Sequence, residues 1–489
     1  MTDFTTDLLQ LKGIDGINVK VLPSDAASIV LELEWPIKDK FCPCCGFKMY
    51  SKGIYQRTVK HPILQDGRVL LLHLNQRKWK CQNPECGLFC KDDFPFVSKN
   101  KRVTDVTDIL IVQAFKDYNL SVRQIAQRFS VTDTYAHNTF DRYVDLPRLK
   151  LPHALCIDEV HLNILSKYKY ALILQDFVSG EPIDMVVSRR KEVTEPYFAS
   201  IPRTERSMVK YVISDMYAPY QNYVETYFPN AMPVVDSFHV VKLITQKLNA
   251  YFVKLKRKFK DRDEKFLEEK QKRYNEKLTL KESKELYLIR TKKWLILSNQ
   301  DTINYSAKAY RDWHFGNAYM YVSDYENELF KMDPNLEKLR DLKELYIRFN
   351  KRYSGDPNGA KEGIEELIKT YAASDYAMFR EMAVALKDYK GAIINSFIML
   401  DRMDRNGIVI HSRLSNGPME SLNRIPKDMK RHARGYRNFE HIRNRFLYAM
   451  RTDAPILACP KPLQEAKFHT GLKRGRYHKK NVPHLKQNS

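Results

Sequence analysis

The chain has 489 residues, of which 43% are hydrophobic, and a formal net charge of +23. This hydrophobic content excludes general disorder, and the length predicts roughly three or four domains of ~100–200 residues each. No run approaches the ~20 apolar residues of a membrane span and the N-terminus lacks a signal pattern, so we expect a cytoplasmic, nucleoid-associated protein whose charge favours nucleic acid over a membrane as its partner.

Six of the eight cysteines cluster near the N-terminus, between residues 42 and 90. They include a C-x2-C pair in FCPCCG and a C-x4-C pair in WKCQNPECG, separated by two strand-like runs. Thiolates at this spacing predict a zinc ribbon with one structural Zn²⁺, since each turn directs its own pair toward one tetrahedral ion. The predicted ligands are Cys42, Cys45, Cys81 and Cys86. Cys44 competes with Cys45 as a ligand, a cluster of buried free thiols is the alternative, and His61 is a weaker candidate.

The next segment has helical periodicity and two capping signals. VTDVTDILIVQAFKDY is followed by Ser121 before VRQIAQRF and by Thr132 before a helix that reaches about Tyr143. The short connector FSVTD is typical of a helix-turn-helix, whose last helix enters the major groove of DNA. Any three-helix bundle gives the same pattern. The predicted DNA-contacting residues on the last helix are Thr134, His137, Asn138 and Arg142.

From about residue 152 the pattern changes to strands alternating with helices. Three strand-like runs (HALCIDEVHL, YKYALILQDFVSG, EPIDMVVSRR) predict an antiparallel meander, followed by a helix over about 195–201. The strand KYVISD, the helix PYQNYVETYF and a fifth strand beginning MPVVD come next. This order predicts a ribonuclease H-like fold with the first and fourth strands side by side. Asp158 and Asp215, which end those two strands, are therefore expected to be neighbours.

These acids predict a divalent-metal site, because Mg²⁺ prefers a few carboxylate oxygens in near-octahedral geometry. Asp158 ends an apolar strand, where a carboxylate is costly unless it is ligated, paired or exposed. Glu159 is expected to face away from it, since side chains alternate along a strand. Asp215 has an alternative role as the cap of a helix near Ala218. Asp236 is equally well explained as the cap of the long helix that follows it.

The remainder of the chain is helical and basic. Residues from about 242 to 413 predict charged surface helices, with dimer contact or DNA clamping as further possible roles. Glu420 follows in SNGPMESLNRIPKDMKRHARGYRNF; an ordinary exposed glutamate is the alternative interpretation there. From Arg424 onward, 17 Lys and Arg face 4 Asp and Glu, so this stretch holds +13 of the net charge. We expect a basic helix to about Met450 and, beyond Pro455, a flexible arm that contacts phosphates or only adds solubility.

The chain resembles the ISL3-type family of insertion-sequence transposases, a branch of the DDE superfamily, nearly from end to end. The resemblance rests on CPCCG with WKCQNPEC, the helix-turn-helix, IDEVHL, ISDMYAPY, FPNAMPVVDSFHVVKLI and SNGPMESLNRIPKDMKRHARGYRNF. It implies a catalytic triad of Asp158, Asp215 and Glu420, with a helical insertion before the glutamate. Asp236 and His239 also belong to the family phrase and are possible accessory residues. The extra cysteine in FCPCCG departs from the pattern and affects only the choice of zinc ligand.

The resemblance further implies two Mg²⁺ (or Mn²⁺) ions ~3.5–4 Å apart, with Asp158 as the shared ligand. Water would free a 3′-OH at the transposon end, and that 3′-OH would attack target DNA in the same site. The zinc ribbon and the helix-turn-helix would bind the terminal inverted repeats, with Arg434 and Arg437 as phosphate contacts. A homodimer or larger assembly is expected on DNA. A DNA-binding regulator or domesticated protein without strand transfer is the alternative function, and a structure-selective nuclease is a third.

The predicted fold class is therefore a multidomain α/β protein: a ribonuclease H-like core with a helical insertion, preceded by a zinc ribbon and a helix-turn-helix domain. The expected boundaries, in chain order, are the zinc-ribbon region 1–97, the helix-turn-helix 98–148, the first part of the core 149–245, the helical insertion 246–412, the last part of the core 413–453 and the basic tail 454–489.

Overall fold

The computed structural model describes residues 16–62, 68–165, 167–274, 282–404, 406–433, 435–436, 438–462 and 465. The chain divides into two compact units. The first comprises Met1–Pro147, His161–Lys169 and Arg424–Ser489, and the second comprises Arg148–Val160 and Tyr170–Asn423. Arg434, Arg437 and most of the predicted basic tail lie outside the described residues. No helix among the described residues is long and apolar enough to cross a bilayer.

A five-stranded sheet begins the first unit. Its strands are β1 (Asn18–Val21), β2 (Ser28–Glu34), β3 (Met49–His61), β4 (Val69–Cys81) and β5 (Phe89–Lys91). Strand β4 is central, with antiparallel β3 on one side and parallel β2 followed by antiparallel β5 on the other. The two long strands between the cysteine pairs are confirmed. Alternating leucines of β2 and β4 bury one face against Phe94 and Phe96.

Three short helices follow in the same unit: α1 (Asp105–Ala114), α2 (Val122–Arg128) and α3 (Asp133–Tyr143). The predicted caps are confirmed. Ser121 forms a reciprocal capping box with Gln124, and the Thr132 hydroxyl accepts from the Tyr135 backbone N–H at 3.1 Å. Phe115 and Phe140 join the helices, their ring centroids lying 4.6 Å apart.

The second unit is built on a five-stranded sheet in the order β10-β9-β6-β7-β8. Its strands are β6 (Ala154–Leu165), β7 (Tyr168–Asp176), β8 (Pro182–Val186), β9 (Tyr211–Ser214) and β10 (Met232–Val235). Strands β7 and β8 pair antiparallel, whereas β9 pairs parallel with both β6 and β10. The first and fourth predicted strands are therefore hydrogen-bonded neighbours, as expected.

Three helices connect these strands: α4 (Lys191–Ser200), α5 (Arg203–Arg206) and α6 (Ala218–Tyr227). Helix α4 begins four residues before its predicted start and contains Pro196. A proline inside a helix costs about 3 kcal/mol. Thr194 and Phe198 of this helix are fully buried, and Phe198 packs in the core of the second unit.

The long charged region is mostly helical, as predicted, and begins with the 38-residue helix α7 (Ser237–Tyr274). The other helices are α8 (Lys284–Thr291), α9 (Trp294–Leu297), α10 (Val322–Met332), α11 (Asn335–Arg352), α12 (Pro357–Ala372), α13 (Ala377–Asp388) and α14 (Lys390–Asn395), with 3₁₀ turns at Gln300–Thr302 and Trp313–Phe315. Two hairpins interrupt them: β11 (Tyr310–Asp312) with β12 (Ala318–Met320), and β13 (Met399–Met403) with β14 (Val409–Arg413). Sequence periodicity missed these hairpins because three to five residues are too few to show alternation.

Three helices end the described chain: α15 (Gly417–Leu422) in the second unit, and α16 (Arg424–His432) and α17 (Phe439–Met450) in the first. The end of the last helix at Met450 is the predicted one.

Candidate catalytic, metal and nucleic-acid sites

Two carboxylates meet at the centre of the second sheet. Strands β6 and β9 are parallel with Cys156 opposite Ile213, so Asp158 and Asp215 each lie two residues beyond this pair. Asp215 directly follows β9, as expected, but the prediction that Asp158 ends its strand is wrong, because β6 continues to Leu165. Burial raises the pKa of Asp158 to about 6, and the charge of Asp215 adds to the effect. Burial and then the charge of Glu159 raise the pKa of Asp215. The fold thus places two partly buried carboxylates at neighbouring positions, and burial raises the pKa of both.

His239 lies near the same pair. It stands in the first turn of α7, directly after β10, and the positive charge it can carry lowers the pKa of both Asp158 and Asp215. Because β10 pairs parallel with β9, the segment that follows β10 and contains His239 lies near the residues that follow β9.

Helix α15 docks beside Asp158. The Asn423 side-chain amide donates from Nδ2 to Asp158 Oδ2 at 2.7 Å. Glu420 is exposed and stands three residues before Asn423, on the same face of this helical turn. The third predicted acid is therefore one turn from the residue that contacts the first.

Asp236 has a structural set of contacts. It is 5% exposed, accepts from the Phe238 backbone N–H at 2.9 Å and accepts from the Asn416 backbone N–H at 2.8 Å. The helix-capping interpretation of Asp236 is confirmed, and its other oxygen holds the loop that begins α15. The alternative in which Asp215 caps α6 is wrong, since Tyr217 occupies the N-cap position without a side-chain cap bond.

The donor set around the acids suits a hard cation. Buried oxygens without a hydrogen-bond partner among the described residues include Asp215 Oδ1, Asn416 Oδ1 and Asn423 Oδ1. Such oxygens are costly unless a cation or water satisfies them, and Mg²⁺ takes oxygen ligands. Asp158, Asp215 and Glu420 are not among the described groups of side chains whose ligand atoms all lie within 4.8 Å of one another. This spacing is compatible with two metal ions, because each ion would contact only some of the three carboxylates.

Glu159, the second acid of IDE, makes different contacts. It forms a salt bridge with Arg189 and accepts from the Tyr220 hydroxyl at 2.9 Å. The Arg189 guanidinium also lies over the rings of Tyr170 and Tyr217, at 4.6 and 5.1 Å from their centroids. Sequence reasoning missed Arg189; its position at the end of the third strand (SRR) was the available signal.

The four predicted zinc ligands converge in the first unit. The sulfur atoms of Cys42, Cys45, Cys81 and Cys86 all lie within 4.8 Å of one another. Cys42 Sγ and Cys86 Sγ are 3.7 Å apart, and Cys45 Sγ and Cys81 Sγ are 3.4 Å apart. Four Zn–S bonds of ~2.3 Å in a tetrahedron give S–S edges of about 3.8 Å. The cluster therefore fits one Zn²⁺.

The other cysteines of this region and His61 lie outside the four-sulfur cluster. Cys44 is exposed and outside the cluster. The Cys90 thiol contacts Met49 Sδ at 3.8 Å. His61 is buried with Nδ1 3.0 Å from the Thr104 hydroxyl, which is the contact of a packing residue.

The four candidates on α3 divide into two groups. Thr134 is exposed and Asn138 is half-buried. His137 Nδ1 lies 3.1 Å from Asp141 Oδ2, and Arg142 donates from Nε to the Lys461 carbonyl at 2.8 Å. His137 and Arg142 are thus engaged within the first unit, whereas Thr134 and Asn138 remain accessible.

His137, Asp141 and His441 form a second cluster of ligand-type residues. Both imidazoles bond through Nδ1 to Asp141, and their rings stack with centroids 3.7 Å apart and planes at 16°. Nitrogen lone pairs lie in the ring plane, so nearly parallel rings do not direct them at one ion. The cluster is a hydrogen-bonded link between α3 and α17.

Comparison with known proteins gives concordant results. The family model for ISL3-type DDE transposases, described as "Transposase", matches residues 155–446, more than half of the chain. The chain is also similar to the transposase for insertion sequence element IS1001 of Bordetella parapertussis, with 23% identity over 421 residues. That alignment covers 83% of this chain and 87% of the relative.

Proposed function

Because this chain belongs to the ISL3 family of transposases, we propose that it cuts DNA at the ends of an insertion sequence and joins the freed 3′-OH to target DNA. The observation that carries this proposal is the pair of partly buried carboxylates on adjacent parallel strands, with unpartnered oxygens around them. Such a site stabilises cations, and cations stabilise the charge that develops in phosphoryl transfer.

The acids have distinct roles in the proposed reaction. Asp158 would be the ligand shared by two Mg²⁺ (or Mn²⁺) ions, and Asp215 and Glu420 would each hold one of them. When bound, the metals supply Lewis-acid activation of the attacking oxygen and stabilisation of the leaving 3′ oxygen. His239, near both aspartates, orients the water or the 3′-OH.

The surrounding residues keep the acids in position. Asn423 fixes one oxygen of Asp158 through a 2.7 Å hydrogen bond. Asp236 joins the start of α7 to the start of α15 and so sets where Glu420 stands. Replacing residues that hydrogen-bond to metal ligands typically lowers metal affinity or activity about 10–100-fold.

The proposed architecture follows the strand order. The strand order β10-β9-β6-β7-β8, with β7 antiparallel to β8 and β9 parallel to both β6 and β10, supports a ribonuclease H-like core with its insertion at about 246–412. The capped helices α2 and α3 support a helix-turn-helix over 98–148, and the sulfur cluster supports a zinc ribbon within 1–97. Both are proposed to bind the terminal inverted repeats, with the chain acting as a dimer or larger assembly on DNA.

The test is strand transfer of a pre-cut transposon end with Mg²⁺. Asp158→Asn, Asp215→Asn and Glu420→Gln should each lose at least about 100-fold in joining. Glu225→Gln, an exposed acid on α6, is the matched control and should join at the wild-type rate. End binding measured without Mg²⁺ checks that each variant folds.

Two results contradict the proposal. Full joining by any one of the three variants removes that residue from the site. A wild-type protein that binds ends tightly but never joins them indicates a DNA-binding regulator instead.

A further inference from the structure

A cleft of about 1020 Å³ lies on the zinc-ribbon side of the first unit, between β3, β4, β5 and the segment at 99–102. We call it the cationic cleft. Seven lysine or arginine side chains line it against the single carboxylate of Asp93. They are Arg57, Lys60, Lys78, Lys91, Lys99, Lys101 and Arg102. Such a lining is unlike that of a small-molecule pocket, which is mainly apolar.

Most of this charge is uncompensated. Among the described residues, Lys101 alone of the seven forms salt bridges, with Asp105 and Asp108. Arg57 donates to the carbonyls of Ser98 and Lys101, which fixes the segment that carries the other cations without neutralising it.

Two of the lysines converge on one ring. Lys78 Nζ and Lys91 Nζ lie 5.6 and 4.7 Å from the centroid of Tyr55. Strand pairing brings Lys78 opposite Lys91, so both ammonium groups share one face of the sheet. Like charges gathered around one ring repel each other, and an anion placed between them relieves the repulsion. Tyr55 is 44% exposed and Phe89, which also lines the cleft, is 57% exposed, so aromatic surface is accessible to a sugar or base.

We propose that the cationic cleft binds the sugar–phosphate backbone of DNA without reading its sequence. Lysines act as point charges toward phosphates, and backbone contacts of this kind position a protein on DNA. The concave shape excludes a flat membrane surface as the partner. The cleft also adjoins the three-helix segment: Lys60 donates to the Ser130 carbonyl, between α2 and α3, at 2.7 Å. The proposal rests on the proposed function, since it names how the same protein holds its DNA.

The test replaces Lys78 and Lys91 by glutamine in the full chain. Neither ammonium forms a salt bridge among the described residues, so both changes are expected to leave folding intact, as thermal unfolding and zinc content would check. Duplex binding is measured by fluorescence anisotropy from 50 to 200 mM salt without Mg²⁺, using a transposon end and a scrambled duplex. Each lost phosphate contact lowers the log–log salt slope by ~0.9, so the double variant should lose about 1.8. Across that fourfold salt range, wild-type affinity should fall about 12-fold more than variant affinity, equally for both duplexes.

Two controls isolate the cleft. The charge-retaining pair Lys78→Arg and Lys91→Arg should keep the wild-type slope. The pair Lys256→Gln and Lys258→Gln removes two exposed charges on α7 and should also keep it.

An unchanged salt slope in the Lys78→Gln, Lys91→Gln protein overturns the proposal. An equal loss of slope in the α7 pair also overturns it, because the effect would then not be specific to the cationic cleft. If the Lys78→Gln, Lys91→Gln protein loses binding to poly-glutamate but not to DNA, the partner of the cleft is an acidic protein, and the proposal is overturned. If the wild-type protein joins transposon ends normally but the Lys78→Gln, Lys91→Gln protein keeps the wild-type salt slope, only this inference fails and the proposed function stands. If wild type binds no duplex at all, the proposed function fails with it.

Discussion

The hydrogen bond between Asn423 and Asp158 makes a quantitative prediction about metal binding. Replacing Asn423 by alanine removes a 2.7 Å amide–carboxylate bond at a position where the asparagine is 6% exposed. A hydrogen bond to a charged group contributes about 1.5–3 kcal/mol. Part of that stabilises the ionised form of Asp158, whose pKa burial already raises to about 6. We therefore expect Asn423→Ala to weaken Mg²⁺ binding about 10–100-fold.

The assay is strand transfer as a function of Mg²⁺ concentration. The half-saturating Mg²⁺ concentration should rise by that factor, and part of the lost rate should return at high Mg²⁺. The control is Asn230→Ala, which removes an exposed 2.9 Å bond to the Ser207 carbonyl, away from the acids. A Mg²⁺ dependence in Asn423→Ala equal to that of wild type would refute the positioning role.

Three further predictions concern the zinc cluster and two buried titratable groups. The purified protein should contain about one zinc per chain; Cys81→Ser should remove it and lower the melting temperature, whereas Cys44→Ser should change neither. Burial raises the pKa of Asp158 in the folded protein, so the metal-free protein loses stability as pH rises from about 4 to 6. At pH 7 without Mg²⁺, Asp158→Asn should therefore be more stable than wild type by up to about 3 kcal/mol and should melt at a higher temperature. A lower melting temperature would contradict this. Burial lowers the pKa of His441, so the unfolded chain takes up a proton that the folded protein does not. Stability should therefore fall as pH drops below about 6.5. His441→Gln should flatten this pH dependence of stability, as measured by denaturant titrations.

Local features were predictable because their causes are local. Ser121 and Thr132 cap their helices as expected, since a cap depends on four consecutive residues. The cysteine pairs also behaved as predicted, because each turn is short enough to define its own geometry.

The acid site was only partly predictable. The strand order indicated that Asp158 and Asp215 would be neighbours, and the pairing of β6 with β9 confirmed this adjacency. Their roles, and that of Glu420, stay predictions. The contact of Asn423 with Asp158 joins residues 265 positions apart, and no periodicity in the sequence indicates such a bond.

The sequence by itself determined the positive net charge, the spacing of the zinc ligands, the helix caps and the order of strands along the chain. Each of these depends on composition or on residues close together in the chain. Only the tertiary structure decided that Asp236 joins two helix starts, that His137 stacks on His441 and Arg142 bonds to Lys461, and that Lys78 and Lys91 converge on Tyr55. These arrangements arise when distant segments pack together. Burial and the competition among many charges then decide which side chains meet, and neither quantity can be read from neighbouring residues alone.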